Sequence, residues 1–242
     1  MGFAHLEATD TTKEKDSVGG GSFLLDSGIY GAKIDMAYQG ESKGGAASVT
    51  VHLITTEGKE VRETIYISSG KAKGCKTYYE KDGEKKPLPG FTLADNMAQL
   101  TTGQGILALT TSKKLIKKYD PVQKKEVPTE VEVFDELLGK EVYVAVVKEL
   151  QDKNVKDATG NYVPSGETRE VNAIDKFFRA ADKMTYAETL NSDLEEAEFF
   201  SVWDGKNTGK VRDKSTKSGG TAGVPAAVAA KAAAAPVPSL FN

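Results

Sequence analysis

A mainly β domain, built as a five-stranded, partly open barrel with a helix between its third and fourth strands, is predicted by three features of this chain. Residues 28–67 hold three runs of alternating hydrophobicity separated by two glycine-containing turns. A short stretch of helical period follows at 92–103, and the apolar run 141–150 is trailed by a return strand.

The first three strands define the two sides of the sheet. Tyr30, Ala32, Ile34, Met36 and Tyr38 share one face, as do Val49, Val51 and Leu53 on the next strand and Ile65 and Ile67 on the third, which makes a core side. The same alternation turns Lys33, Thr50, His52, Arg62, Thr64 and Tyr66 outward. Cationic, aromatic and hydroxyl groups on one sheet face suit single-stranded nucleic acid, because Lys and Arg neutralise phosphates while rings stack on bases. An antiparallel sheet that merely faces water carries such residues too.

Residues 1–22 are polar, end in Gly19-Gly20-Gly21-Ser22 and read as a flexible leader, so the fold is expected to begin near Phe23. Behind the third strand, residues 68–90 form an insertion dense in Lys, Gly and Pro, with room for a short hairpin around Asp82-Gly83. It gathers Lys71, Lys73, Lys76, Lys81, Lys85 and Lys86 around Tyr78 and Tyr79. Cations interleaved with aromatics are what a single-strand groove needs, although a solubilising loop whose tyrosines pack back on the barrel has the same composition.

From Thr92, Leu93, Met97 and Leu100 fall at i, i+4 and i+7, and Thr92 with Asp95 resembles a capping box; this predicts a helix ending near Gly103. Residues 106–119 mix apolar positions with Lys113, Lys114, Lys117 and Lys118 and read either as a second helix or as an irregular basic segment. Extended character returns at 130–134. The run 141–150 is a buried strand, and turn residues Thr159-Gly160-Asn161 and Ser165-Gly166 lead to a return strand at 170–174. Three strands, a helix and then further strands is the order of an OB-fold.

Ser192-Asp193-Leu194-Glu195 is a second capping-box sequence and predicts an acidic helix running to Trp203, with Leu194 and Ala197 inward. From Asp204 the composition collapses to Gly, Ala, Lys, Ser, Thr and Pro, the signature of a disordered tail. That tail carries six basic residues against two acids and ends in Pro238-Ser239-Leu240-Phe241-Asn242. Leu240 and Phe241 form an apolar tip suited to docking in a partner's groove. The expected organisation is therefore a leader at 1–22, a domain at 23–203 and a tail at 204–242.

Composition excludes several classes. The formal net charge over 242 residues is -3, so an anionic partner must be met by locally concentrated lysines. The single cysteine, Cys75, rules out an internal disulfide, and with only His5 and His52 beside it a structural zinc site is not expected. No stretch approaches the roughly 20 apolar residues of a membrane span, and the N-terminus lacks an apolar signal core, so a soluble cytoplasmic protein is expected. No GxxxxGK[ST] loop is present. Gly103-x-Gly105-x-x-Ala108 follows a helix rather than a strand and does not read as a dinucleotide site. Carboxylates such as Asp10, Asp16, Asp35 and Asp82 do not converge, so a general acid–base pair cannot be assembled. The chain is expected not to be an enzyme.

The segments SGIYGAKIDMAYQGESKGGAASVTVHL, GKEVRETIYISSGKAKGCKTYYEKDGEKKPLPGFTLADNMAQLTTG, LLGKEVYVAVV and GETREVNAIDKFF together resemble the OB-fold single-stranded DNA-binding proteins of tailed bacteriophages, over residues 28–178. The resemblance implies a non-catalytic protein, without cofactor, that coats single-stranded DNA in phage replication, recombination and repair in the host cytoplasm and helps recruit replication or recombination proteins. Its matching positions are Lys33, His52, Arg62 and Tyr66 on the sheet and Lys71, Lys73, Lys76, Tyr78 and Tyr79 in the insertion. The chain departs from that family's usual acidic tail: its acids lie earlier, at Asp193, Glu195, Glu196 and Glu198, and the tail is basic. A structural or adaptor role, as a phage virion or assembly component with the barrel as scaffold and the tail tip as docking element, is the competing expectation.

Overall fold

A computed structural model describes residues 24–120, 123–156 and 162–216. The expected leader, the turn at 157–161 and the tail tip with Leu240 and Phe241 lie outside the described residues. The fold is mainly β. An antiparallel meander of β1 (Gly28–Glu41), β2 (Ala47–Thr55) and β3 (Glu60–Tyr66) is the first regular structure among the described residues, as the alternation predicts. The insertion forms a separate hairpin of β4 (Tyr78–Lys81) and β5 (Glu84–Pro87) and leads into α1 (Pro89–Thr102). Next come β6 (Ser112–Asp120), β7 (Lys125–Val133), β8 (Glu141–Lys156) and β9 (Tyr162–Arg179). Short α2 (Tyr186–Thr189), α3 (Phe199–Asn207) and β10 (Val211–Asp213) finish the described chain.

The central sheet runs β3-β2-β1-β8, with β9 along the far edge of β8. β7 and β8 take successive parts of one edge of β1, β7 at Tyr38 and β8 at 28–33. The parallel strand β10 takes up β8 at Lys148–Leu150, beyond the start of β1. β3 and β9 are not paired, so the sheet is not closed. The main core fills its inner face with Ile34, Val49, Val51, Leu53, Val61 and Ile65 from the meander and Val142, Val144, Val146, Ile174 and Phe177 from β8 and β9. α1 plugs it with Ala94, Met97 and Ala98, and Leu93 and Leu100 pack alongside, the face that the sequence period gives. The helix starts earlier than the Thr92 capping box suggests. Pro89 at its first position pre-sets the backbone, and no side chain caps its first turn.

Three other expectations are corrected. A β-bulge between Ile34 and Met36 inserts one residue into β1, so Ala37 takes the core position opposite Val51, and Met36 and Tyr38 turn to the other face. There they join Val131, Val133, Ile116 and Leu138 in a small second cluster. Residues 106–119 are not a second helix: a 3-10 turn at Ile106–Ala108 is followed by β6, nine residues paired with β7. Its apolar contact with the core side is Ile116, while Lys113 meets Glu130 at 2.8 Å and Lys114 meets Asp135 at 2.5 Å. Alternating Val127, Thr129, Val131 and Val133 on the partner strand set the extended period.

The third correction concerns the C-terminal part. The capping box that forms is Thr185 with Glu188, not Ser192 with Glu195, and α3 begins only at Phe199. One Glu188 oxygen accepts from the Thr185 N–H at 2.7 Å while the other accepts from Glu198 and Phe199, so a single buried carboxylate caps two helices. Burial pushes its pKa up, but the donated hydrogen bonds outweigh this and hold it below the ordinary value. Beyond Trp203 the described chain does not dissolve: α3 continues to Asn207, and β10 follows. Arg212 reaches Asp175 at 2.9 Å and Glu149 at 3.5 Å, and Lys214 reaches Glu149 at 2.6 Å. Among the described residues, no helix is long and apolar enough to cross a membrane.

Candidate functional site

The insertion is pinned to the sheet by its backbone. Lys71 N–H donates to Gly44 O at 2.8 Å, Ser69 and Lys76 exchange bonds across the loop, and Leu88 N–H donates to Thr77 O. Asp82 and Gly83 both adopt positive φ (55° and 78°), the tight two-residue turn that the Asp-Gly pair predicts. Gly90 lets α1 abut the end of β3: a Cβ there would lie 2.1 Å from the Tyr66 carbonyl oxygen. Gly90→Ala should therefore destabilise the protein by about 1–3 kcal/mol through forced displacement of backbone. Urea unfolding of the variant checks this, and an unchanged midpoint would refute the close approach.

Between this insertion and the end of β3 lies an open groove of about 790 Å³, lined by Tyr66, Lys73, Lys76, Tyr78 and Tyr79 together with Pro89 and Gly90. The structure thus brings together five of the residues singled out by sequence. Tyr66 is 52% exposed and Tyr79 is 43% exposed. Tyr78 is half-buried, with the Lys76 ammonium 5.4 Å and the Lys85 ammonium 4.7 Å from its ring centroid. Lys76 also stands 3.5 Å from Glu80, whereas Lys73 and Lys85 form no salt bridge among the described residues.

The sheet residues form a line leading to this groove. Tyr66 pairs with Ser48, Arg62 with His52, and Lys33 with Ile54, so Lys33 and Tyr66 are separated by six residues of β2, about 20 Å. Arg62 is exposed and donates to the Tyr38 hydroxyl at 3.1 Å. Between Arg62 and Tyr66, Thr50 is buried and shares a 3.0 Å hydrogen bond with Thr64.

Two expected contacts fall away from the groove. His52 is half-buried, tilted against Tyr38 at 5.9 Å, with Nδ1 3.5 Å from Glu60. Burial, followed by the positive charge of Arg62, holds its pKa below the ordinary imidazole value, so at neutral pH it packs as a neutral ring and neutralises no phosphate. Lys71 turns the other way: its ammonium meets Glu41 at 3.0 Å and lines a neighbouring groove with Cys75, Lys118 and Glu130. Cys75 is exposed, and its thiol sits 3.5 Å from Gly45 O.

Sequence reasoning leaves one contributor unmarked and another undistinguished. Gly90 has no signature beyond being a helix-start glycine. Lys85 was grouped with the insertion's other lysines, yet the register set by the Asp82-Gly83 turn places it diagonally across from Tyr78. Among the described residues, no cluster of His, Cys, Asp and Glu is arranged to hold a metal ion. Comparison of the chain with models of known protein families and with curated proteins finds no match.

Proposed function

We propose that this protein binds and coats single-stranded DNA with little sequence preference, through phosphate neutralisation and base stacking. The observation that carries the reading is the groove in which Tyr66, Tyr78 and Tyr79 stand with Lys73 and Lys76, continued along the sheet by Arg62 and Lys33. Rings plus exposed cations in one open channel match the requirements of a flexible polyanion with exposed bases. The order β3-β2-β1-β8-β9, with α1 between the third and fourth of these strands along the chain, supports an OB-fold-like arrangement in which β4–β5 and β6–β7 are insertions. Replication, recombination and repair of a phage genome in the host cytoplasm is the setting that the sequence resemblance implies. Replication or recombination proteins would then be the partners for Leu240 and Phe241.

The test is fluorescence anisotropy of a labelled oligo-dT at two salt concentrations, with duplex DNA and RNA competitors. Binding should be competed by single-stranded but not duplex DNA, and the logarithm of affinity should fall against the logarithm of salt with a slope near 0.7 per neutralised phosphate. Three or four engaged cations would give a slope of about 2–3. A flat salt dependence would remove the electrostatic part of the reading. No binding at low salt would put the scaffold or adaptor role first.

A further inference from the structure

Glu63 occupies a position that alternation reserves for the core. Val61 and Ile65, two residues to either side, are both buried in the main cluster. Its carboxylate lies where the sheet fails to close: no strand pairing joins β3 to β9, and Glu63 Oε2 instead accepts the Ile174 N–H. Flanking this bond is a recess of about 630 Å³, lined by Val61 and Arg62 on β3 and by Val171 and Asn172 on β9. The charged groups acting on Glu63 are Glu149 of β8, Asp175 of β9 and Lys214 just after β10. Arg212 of β10 is committed to Asp175 and Glu149, and Lys214 to Glu149.

We propose that the β3–β9 seam is a proton-operated latch, closed while the Glu63 carboxyl is protonated and parting more readily once it is ionised, so that water can reach the carboxylate.

Burial, reinforced by Glu149 and Asp175, raises the Glu63 pKa from the ordinary 4.5 to about 7, against the opposing pull of the Ile174 hydrogen bond and of Lys214. An open seam that hydrates the carboxylate returns it toward its ordinary value. Between pH 4.5 and 7 the open state therefore binds fewer protons than the closed one, and rising pH favours opening across that window and no further above it. The population of the open seam should grow about tenfold or more between pH 5.5 and 8. The latch does not depend on what the protein binds.

Hydrogen exchange on the full chain tests it, with each amide corrected for its intrinsic rate. Protection at Ile174 and along β3 should fall by that factor from pH 5.5 to 8, while Val144 in the middle of β8 holds steady. Glu63→Gln keeps an acceptor for the Ile174 N–H but cannot ionise, and its protection should be independent of pH. The same pH dependence in wild type and variant would overturn the proposal. Should the variant fail to fold, carboxyl NMR of the wild-type chain decides: a Glu63 midpoint between pH 6 and 8 supports the latch, and one near 4.5 overturns it.

Discussion

Replacing Arg212 and Lys214 together by alanine is expected to lower stability by about 3–5 kcal/mol at neutral pH, the cost of leaving a buried carboxylate uncompensated. Glu149 is 1% exposed, and its ion-pair partners are those two side chains, with Gln151 donating to its second oxygen at 2.8 Å. Arg212 also holds Asp175, whose other oxygen accepts from the Trp203 indole N–H at 2.7 Å. Burial pushes the Asp175 pKa up, but the bonds from Trp203 and Arg212 outweigh this and leave it below the ordinary value. Each cation is itself 37–52% exposed, so the single substitutions should cost less, about 1–2 kcal/mol, with water replacing part of what is lost. The decisive control is Glu149→Gln in the double variant. If the loss comes from an unpaired buried charge, removing that charge restores most of the stability, a coupling read from urea midpoints at constant m value. A double variant within 1 kcal/mol of wild type would mean that β10 is an ornament on the sheet rather than its clasp.

That clasp shows where sequence reading works and where it stops. Strand alternation is a local property, and the meander, the apolar β8 and its return strand follow from it directly. The bulge at Ile34/Met36 is equally local in space yet has no sequence mark, and it alone transfers Tyr38 from the core face to the opposite face of the sheet. Of the two Ser/Thr-x-x-Glu sequences between residues 185 and 195, the one at Thr185 folds because the second oxygen of Glu188 finds the free amides of Glu198 and Phe199 some ten residues on, a tertiary reward invisible in the motif. β10 is hidden for a similar reason: Val211-Arg212-Asp213 lies in a stretch of tail-like composition, and its place comes from pairing with β8 and from the carboxylates of β8 and β9. The basic run before Asp120 could not be assigned because its partner, β7, supplies the period-two pattern that β6 lacks. In the candidate site the residue types were legible, but their division of labour depended on register.

Register yields the sharpest prediction for binding. Tyr78 and Tyr79 are neighbours on β4 and so project to opposite faces of the hairpin. Tyr78 has its ring taken up by Lys76 and Lys85, whereas Tyr66 and Tyr79 present open ring surface. On the single-strand reading, the bases stack on Tyr66 and Tyr79, and Tyr78 is a strut for the Lys76 and Lys85 ammonium groups. Tyr66→Ala and Tyr79→Ala should each weaken oligo-dT binding by about 1–3 kcal/mol, roughly 5- to 150-fold, by a similar factor at every salt concentration. Tyr78→Ala should act through charge placement instead: its defect is largest at low salt, and the salt slope drops by up to about 1.4, two contacts at 0.7 each. Tyr78→Phe keeps the ring and should behave as wild type in both slope and affinity. The pattern separates the two roles because stacking is nearly indifferent to counterions while phosphate neutralisation is defined by them. Loss of affinity on Tyr78→Ala with an unchanged slope would make it a third stacking platform. Undiminished binding in Tyr66→Ala and Tyr79→Ala would move the strand off this groove altogether and onto the sheet line between Arg62 and Lys33.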